Sequence, residues 1–323
     1  MAFPGTGLAP RPLMTPRAVL VTCAFLPLLA GTTLLGSPPT GVQLEMKNVR
    51  LHVDEGIILD VTRLRGVMIS RVEGAPPVFD DQKSYVLHLQ TGEMSMDMTS
   101  LQNLMNRHVF GYRDSPLKDV SVQPDGARLK LKGKLHKGIN IPFSTTVSVS
   151  TTPDGQMRLH VESLKAVGLP AKGLLDLFGL KLDTVIDIKK RRGVTVEEND
   201  IVIAAGQVLP PPEILGRLTR VAVQGNRLVQ TFDDPGKGRP ARLVPPSPRA
   251  RNYVYFAGGN ITFGKLTMHD ADLQLIDADP DDPFDFFPAR YLAQLVAGYS
   301  KTTPAKGLKT YMPDFNDVPK SGR

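Results

Sequence analysis

The chain has 323 residues, 41% apolar and 22% charged, enough to bury a sizeable core as one large domain or two ordinary ones. It has no tryptophan and only 6% aromatic residues, which argues against stacking platforms for sugars or bases. The formal net charge of +7 is mild and compatible with an anionic membrane surface.

Residues 1–36 read as an export segment. Arg11 and Arg17 precede an apolar stretch from Ala18 to Leu35, which ends in Gly36-Ser37-Pro38-Pro39. A basic start, an apolar middle and small residues before a polar region match a secretory signal or an uncleaved anchor. Pro27, Thr32 and Thr33 interrupt the stretch, which barely reaches spanning length, so cleavage is favoured over a permanent inner-membrane anchor. Cys23 is the single cysteine. Leu20 lies three residues before it, as in a lipoprotein signal, but the apolar core follows the cysteine and Thr22 is large for its place. Lipid attachment is therefore the lesser expectation. Without Arg11 and Arg17 the 39 basic residues become 37 against 32 acidic ones, a net +5. An exported chain free of disulfides fits a bacterial periplasm or cell envelope, where a protein rarely meets nucleic acid.

From residue 42 to 161 the chain alternates with a period of two, the signature of strands with one apolar face. Leu44 and Met46 begin it, Val49, Leu51 and Val53 continue it, and Met94, Met96 and Met98 follow. Ile139, Ile141, Phe143, Thr145, Val147 and Val149 form a later run, with Met157, Leu159 and Val161 beyond. Pro124-Asp125-Gly126 and Pro153-Asp154-Gly155 read as hairpin turns, because proline presets the turn and glycine takes the positive-φ place. Gln224-Gly225-Asn226 predicts a third hairpin, and Gly258-Gly259-Asn260 a fourth, joining Tyr253–Phe256 to Ile261–Ile276.

Three helices are expected. Thr99 can cap Ser100–Phe110, where Leu101, Leu104, Met105 and Phe110 share a stripe. Pro170 opens a second over Ala171–Ile188, apolar around much of its girth through Leu174, Leu175, Phe178, Leu182, Val185 and Ile186. The third, Pro288–Tyr299, carries Tyr291, Leu292, Leu295 and Val296. Residues 233–252 form a Pro- and Arg-rich excursion without periodicity, which separates the main unit, 42–232, from a C-terminal hairpin and helix, 253–323, packing on it.

Few constellations carry chemistry. Gly259 to Lys265 has the spacing of a phosphate loop, but Leu266 stands where a hydroxyl is needed and a strand follows rather than a helix; a hairpin explains it better. Asp277, Asp279, Asp281, Asp282 and Asp285 suggest a calcium loop, but Pro288 falls at the bidentate glutamate position, and a solvated turn is the expectation. The six histidines are scattered, with no metal-binding spacing, and no serine sits in a nucleophile elbow. No cofactor, metal or enzymatic activity is expected. Lys189-Lys190-Arg191-Arg192 closes the second helix, either as dipole compensation or as a basic rim for anionic headgroups.

The expected class is α+β: a long, highly curved antiparallel sheet wrapped around one or two helices. Its apolar face exceeds what three helices cover, which leaves room for an apolar guest. Met94, Met96, Met98, Leu101, Leu104, Met105, Phe143, Leu174, Leu175 and Phe178 are the candidate lining. Methionine serves core packing by default, although its flexible thioether also suits variable apolar ligands.

A family resemblance follows from the export segment, the helix Leu101-Gln102-Asn103-Leu104-Met105-Asn106-Arg107, and the segments Ser115-Pro116-Leu117-Lys118-Asp119-Val120, Leu129-Lys130-Leu131-Lys132-Gly133-Lys134 and Ile141-Pro142-Phe143. Residues 42–232 resemble bacterial envelope proteins with a tubular lipid-binding fold, including the LmeA-type phospholipid-binding family. The resemblance implies an antiparallel sheet curled around a helix, with an elongated cavity for acyl chains. A lipid or hydrophobic small molecule is the partner it implies. The alternative is a non-catalytic scaffold or interaction protein with a filled core.

Overall fold

The structure, a computed structural model, describes residues 41–137, 139–166, 193–234, 240 and 242–319. The expected export segment with Cys23, the second expected helix with Leu174, Leu175 and Phe178, and the Lys189–Arg192 run lie outside them. The third expected helix, Pro288–Tyr299, is present as a 3-10 turn and the α-helix Tyr291–Ala297. No described helix is long and apolar enough to cross a membrane.

The chain is mostly strand with few helices, an α+β arrangement dominated by a large, curved and mainly antiparallel sheet. It opens with β1 (Val42–Asp54), β2 (Ile57–Ser70) and β3 (Tyr85–Asp97), followed by helix α1 (Met98–Leu104), which continues as a π-helical turn over Met105–Val109. Next come β4 (Leu117–Asp125), β5 (Arg128–Lys137), β6 (Ile139–Thr151), β7 (Met157–Ala166), β8 (Val194–Glu197) and β9 (Asp200–Ile203). A short helix α2 (Ala205–Val208) leads to β10 (Glu213–Leu215), β11 (Leu218–Gln224) and β12 (Arg227–Asp233). The C-terminal part holds β13 (Tyr253–Ala257), β14 (Asn260–Phe263), β15 (Leu266–His269), β16 (Asp272–Asp277), β17 (Phe284–Phe286), helix α3 (Tyr291–Ala297), β18 (Tyr299–Thr302) and β19 (Leu308–Met312).

These strands form two large sheets, which pack as layers, and a two-stranded hairpin, β14-β15. The large sheet runs β11-β12-β3-β2-β1-β13-β16-β19-β18, with β10 parallel to β3 and β17 parallel to β1. The second sheet runs β4-β5-β6-β7-β9-β8. The alternating run from 42 to 161 therefore divides at α1, whose N-cap Asp97 accepts from the Ser100 amide at 2.6 Å. Residues 253–312 continue the large sheet directly, since Leu44 pairs with Phe256 and Phe256 with Leu273.

Two irregularities keep the apolar face turned inward. Asn48 has φ 50, and the buried parity changes there, from Val42, Leu44 and Met46 to Val49. One positive-φ residue rotates the strand so that both halves present aliphatics to the same side. It also marks a change of neighbour: β13 pairs with Gln43–Lys47, and β17 with Val49–Leu51. In β2 a register shift between Val61 and Arg63 has the same effect, moving burial from Ile57, Leu59 and Val61 to Leu64.

The turns at Gly126, Gly155 and Gly225 join the pairs expected of them, each glycine at positive φ. The fourth expected hairpin is corrected. Gly258-Gly259 does not fold β13 back on β14; it leads into an inserted hairpin, β14–β15, turning at Gly264, after which β16 returns to pair with β13. The segment with phosphate-loop spacing is thus a hairpin. Loop 77–80 holds it, with the Thr262 amide donating to the Pro77 carbonyl at 3.0 Å and the Gly264 amide to the Asp80 carboxylate at 2.5 Å. Helix α3 buries Tyr291 and Gln294 and leaves Leu292 and Val296 exposed, so its apolar stripe faces outward in part.

Candidate functional site

The two layers do not close completely. Between them, among the described residues, lies a partly open cavity of about 100 Å³. The large sheet supplies Met46, Leu51, Leu59, Val61, Leu64, Leu87, Leu89, Met94, Met96, Leu228 and Phe232; the second sheet supplies Leu129, Leu131, Met157, Leu159 and Ile203. Leu101, Leu104, Met105 and Val109 of α1 and its π-helical continuation form one side, and Gly206, Val208, Leu209, Ile214, Gly216 and Leu218 close an end. Gln156 and Gln230 carry the only polar side chains in the described wall, and none there is titratable. Such a wall offers desolvation and shape rather than charge.

Of the residues expected to line it, Met94, Met96, Leu101, Leu104 and Met105 do so. Met98 and Phe143 are buried but sit elsewhere in the core. Sequence reasoning missed Met46, Met157 and the aliphatics of β2 as lining, although their alternation places them on an inner face. Five methionines reach this wall, and the flexible thioether lets a cavity change shape at low cost.

A wider polar groove of about 350 Å³ adjoins it, lined by Arg71, Gln82, Lys83, Gly206, Gln207, Leu209, Pro211 and Glu213. Arg71 Nη2 donates to Glu213 Oε2 at 2.5 Å.

A second cluster lies at the other neighbour of β1. The acidic run expected to be a solvated turn is in part buried: Asp277 is 5% exposed and Asp285 4%, joined by Asp314 at 8%. The reason is long-range pairing that one segment cannot show. His52 reaches Asp285 from β1 and packs between the rings of Phe287 and Phe315, with centroids at 5.3 and 5.5 Å. The Asp285 amide donates to Asp314 Oδ1 at 2.7 Å, and Asn252 Nδ2 donates to Asp277 Oδ2 at 3.0 Å. Carboxylate oxygens of Asp277, Asp282 and Asp314 lie within 4.8 Å of one another, close enough to share a cation. Asn252 Nδ2 and the amides of Asp279 and Asp285 already donate to these carboxylates. Burial, reinforced by Asp277, Asp282 and Asp285, pushes the Asp314 carboxyl up to about 7, and burial also raises Asp277.

This proton has a measurable consequence. Between about pH 4 and 7 the folded protein holds a proton at Asp314 that the unfolded chain has released, so stability falls as pH rises through that window and levels off above it. Asp314→Asn keeps the acceptor for the Asp285 amide and removes the titration. Its urea-unfolding free energy should exceed that of the wild type by about 2 kcal/mol at pH 8, with the difference vanishing toward pH 4. A constant difference across that range would refute the assignment.

Compared with protein-family models, with curated proteins and with solved structures, the chain matches none. Its function must therefore be argued from its own geometry.

Proposed function

We propose that the protein is a non-catalytic binder of a lipid or other apolar ligand, seated between the two sheets, and that it works as an exported protein of the bacterial periplasm or cell envelope. The observation that carries this is the methionine-rich cavity, whose described wall has no titratable side chain. Each acyl methylene moved from water into such a space gains about 0.8 kcal/mol. The tubular lipid-binding likeness of residues 42–232 is consistent with this role and belongs to the same proposal.

Volume decides how the ligand must enter. About 100 Å³ is the share of liquid occupied by roughly three waters, and ligand pockets usually span about 300–1,000 Å³. A long chain therefore requires Met46, Met94, Met96, Met105 and Met157 to change rotamer around it. That same small volume favours the second reading, a scaffold whose core is already filled.

Native mass spectrometry of the purified protein, followed by lipid extraction and uptake of a fluorescent fatty acid, separates the two. A co-purifying lipid or saturable uptake is expected. In Leu104→Trp, which fills the cavity from α1, uptake should fall at least about tenfold while the thermal midpoint is retained, because added volume occupies empty space rather than packed core. Wild-type protein that carries no lipid and takes up no probe would leave the scaffold.

A further inference from the structure

The apolar cavity and the polar groove share a wall made by Gly206 and Leu209. The two spaces differ sharply in chemistry. The groove carries two cations, Arg71 and Lys83, against one carboxylate, Glu213, with the amides of Gln82 and Gln207 beside them. Lys83 has no ion-pair partner among the described residues. Arg71 uses one guanidinium nitrogen on Glu213, and a guanidinium has five N–H donors, so it can hold a second acceptor without releasing the first. Glu213 fixes the arginine but also repels an incoming anion.

We propose that this groove binds the anionic head of a single-chain amphiphile whose tail passes the Leu209 wall into the cavity. The proposal rests on the cavity being a ligand site and adds to it a head site and a ligand class. One narrow apolar space suits one chain. The unpaired Lys83 and the partly used Arg71 select a carboxylate or phosphate head, the chemistry common to fatty acids and monoalkyl phosphates. Gly206 sets how near the two spaces lie, because a Cβ there would fall 1.4 Å from the Ile214 carbonyl oxygen; the wall has no room for a larger residue.

Calorimetric titration of the full chain tests this with four ligands of one tail length, below their micellar concentrations: dodecanoate, dodecyl phosphate, dodecanol and dodecyltrimethylammonium. One or both anions should bind at least about tenfold more tightly than dodecanol, and the cation no better than dodecanol. Lys83→Glu should bring that ratio close to one, and Glu213→Gln should raise it, with dodecanol affinity unchanged in both variants. Unchanged dodecanol binding also reports that each variant is folded. Whichever anion is preferred identifies the head as carboxylate or phosphate. Equal binding of dodecanol and both anions, or a ratio that survives Lys83→Glu, overturns the head site while leaving the cavity occupied. If none of the four binds, the cavity reading falls with it.

Discussion

Replacing Phe256 by alanine should cost the folded protein about 3–5 kcal/mol, the range for removing a fully buried phenylalanine. Phe256 is 1% exposed and lies in β13 between β1 and β16. Its ring meets Phe79 at 5.6 Å and Phe263 at 5.3 Å, both edge to face, and Phe79 meets Tyr291 of α3 at 5.0 Å. Phe256 thus joins the large sheet to the inserted hairpin and the loop after β2, and through Phe79 to α3. The described residues form one compact unit, so the loss should lower the midpoint of a single cooperative unfolding transition. If the variant instead shows two transitions, with the signal of β4–β7 unmoved, the C-terminal strands are energetically separate from the cavity layers.

The second large effect is expected at Gly206. An alanine Cβ there would lie 1.4 Å from the Ile214 carbonyl oxygen and 2.4 Å from its carbon. Both obstructing atoms are backbone, so no rotamer change relieves the clash. Either α2 shifts or β10 leaves β3, where Glu213 to Leu215 pair with Val86 to His88. We expect a loss of about 3 kcal/mol, at the upper end for overpacking. Faster amide exchange should be confined to residues 86–88 and 205–215. Gly225→Ala provides the comparison: its Cβ would meet nothing within 4 Å, and its φ of 58 limits the cost to about 1 kcal/mol. Equal losses at the two glycines would mean that the contact with Ile214 is not what constrains position 206.

Local features of this fold were legible in the sequence because local chemistry determines them. Pro124-Asp125-Gly126 and Pro153-Asp154-Gly155 name their own turns, and the methionines at 94 and 96 name their face. The parity change between Met46 and Val49 was read as part of one continuous alternation, and Asn48 at φ 50 is its physical cause. What sequence periodicity cannot give is the identity of a strand's partner. β1 lies beside β13 because residues far apart in the chain have complementary faces, as with Asn48 donating to Asn252 across 204 positions at 2.7 Å. For the same reason the second sheet was not foreseen: β4–β7 alternate like β1–β3, and no local signal says that α1 divides them between layers.

The candidate sites divide along the same line. Met94 and Met96 followed from alternation and Leu101, Leu104 and Met105 from a helical stripe, five of the ten residues expected to line the cavity, since a residue's face is a local property. The polar groove and the buried acids did not, because each is assembled from separate segments. Arg71 and Glu213 are 142 positions apart, and His52 and Asp285 are 233 apart. An aspartate run looks like a wet turn until the histidine, asparagines and phenylalanines that enclose it arrive from elsewhere.

The place of β1 near the middle of the large sheet has a consequence for biogenesis. Its hairpin with β2 can zip as soon as both emerge, yet its other flank stays unpaired until β13 has been made. Throughout that interval the nascent polypeptide displays a bare row of backbone amides and carbonyls, flanked by Val42, Leu44 and Met46. Such a flank is a template for pairing with a neighbouring molecule. Folding should therefore be slow, and open to pairing with neighbouring chains until β13 is in place.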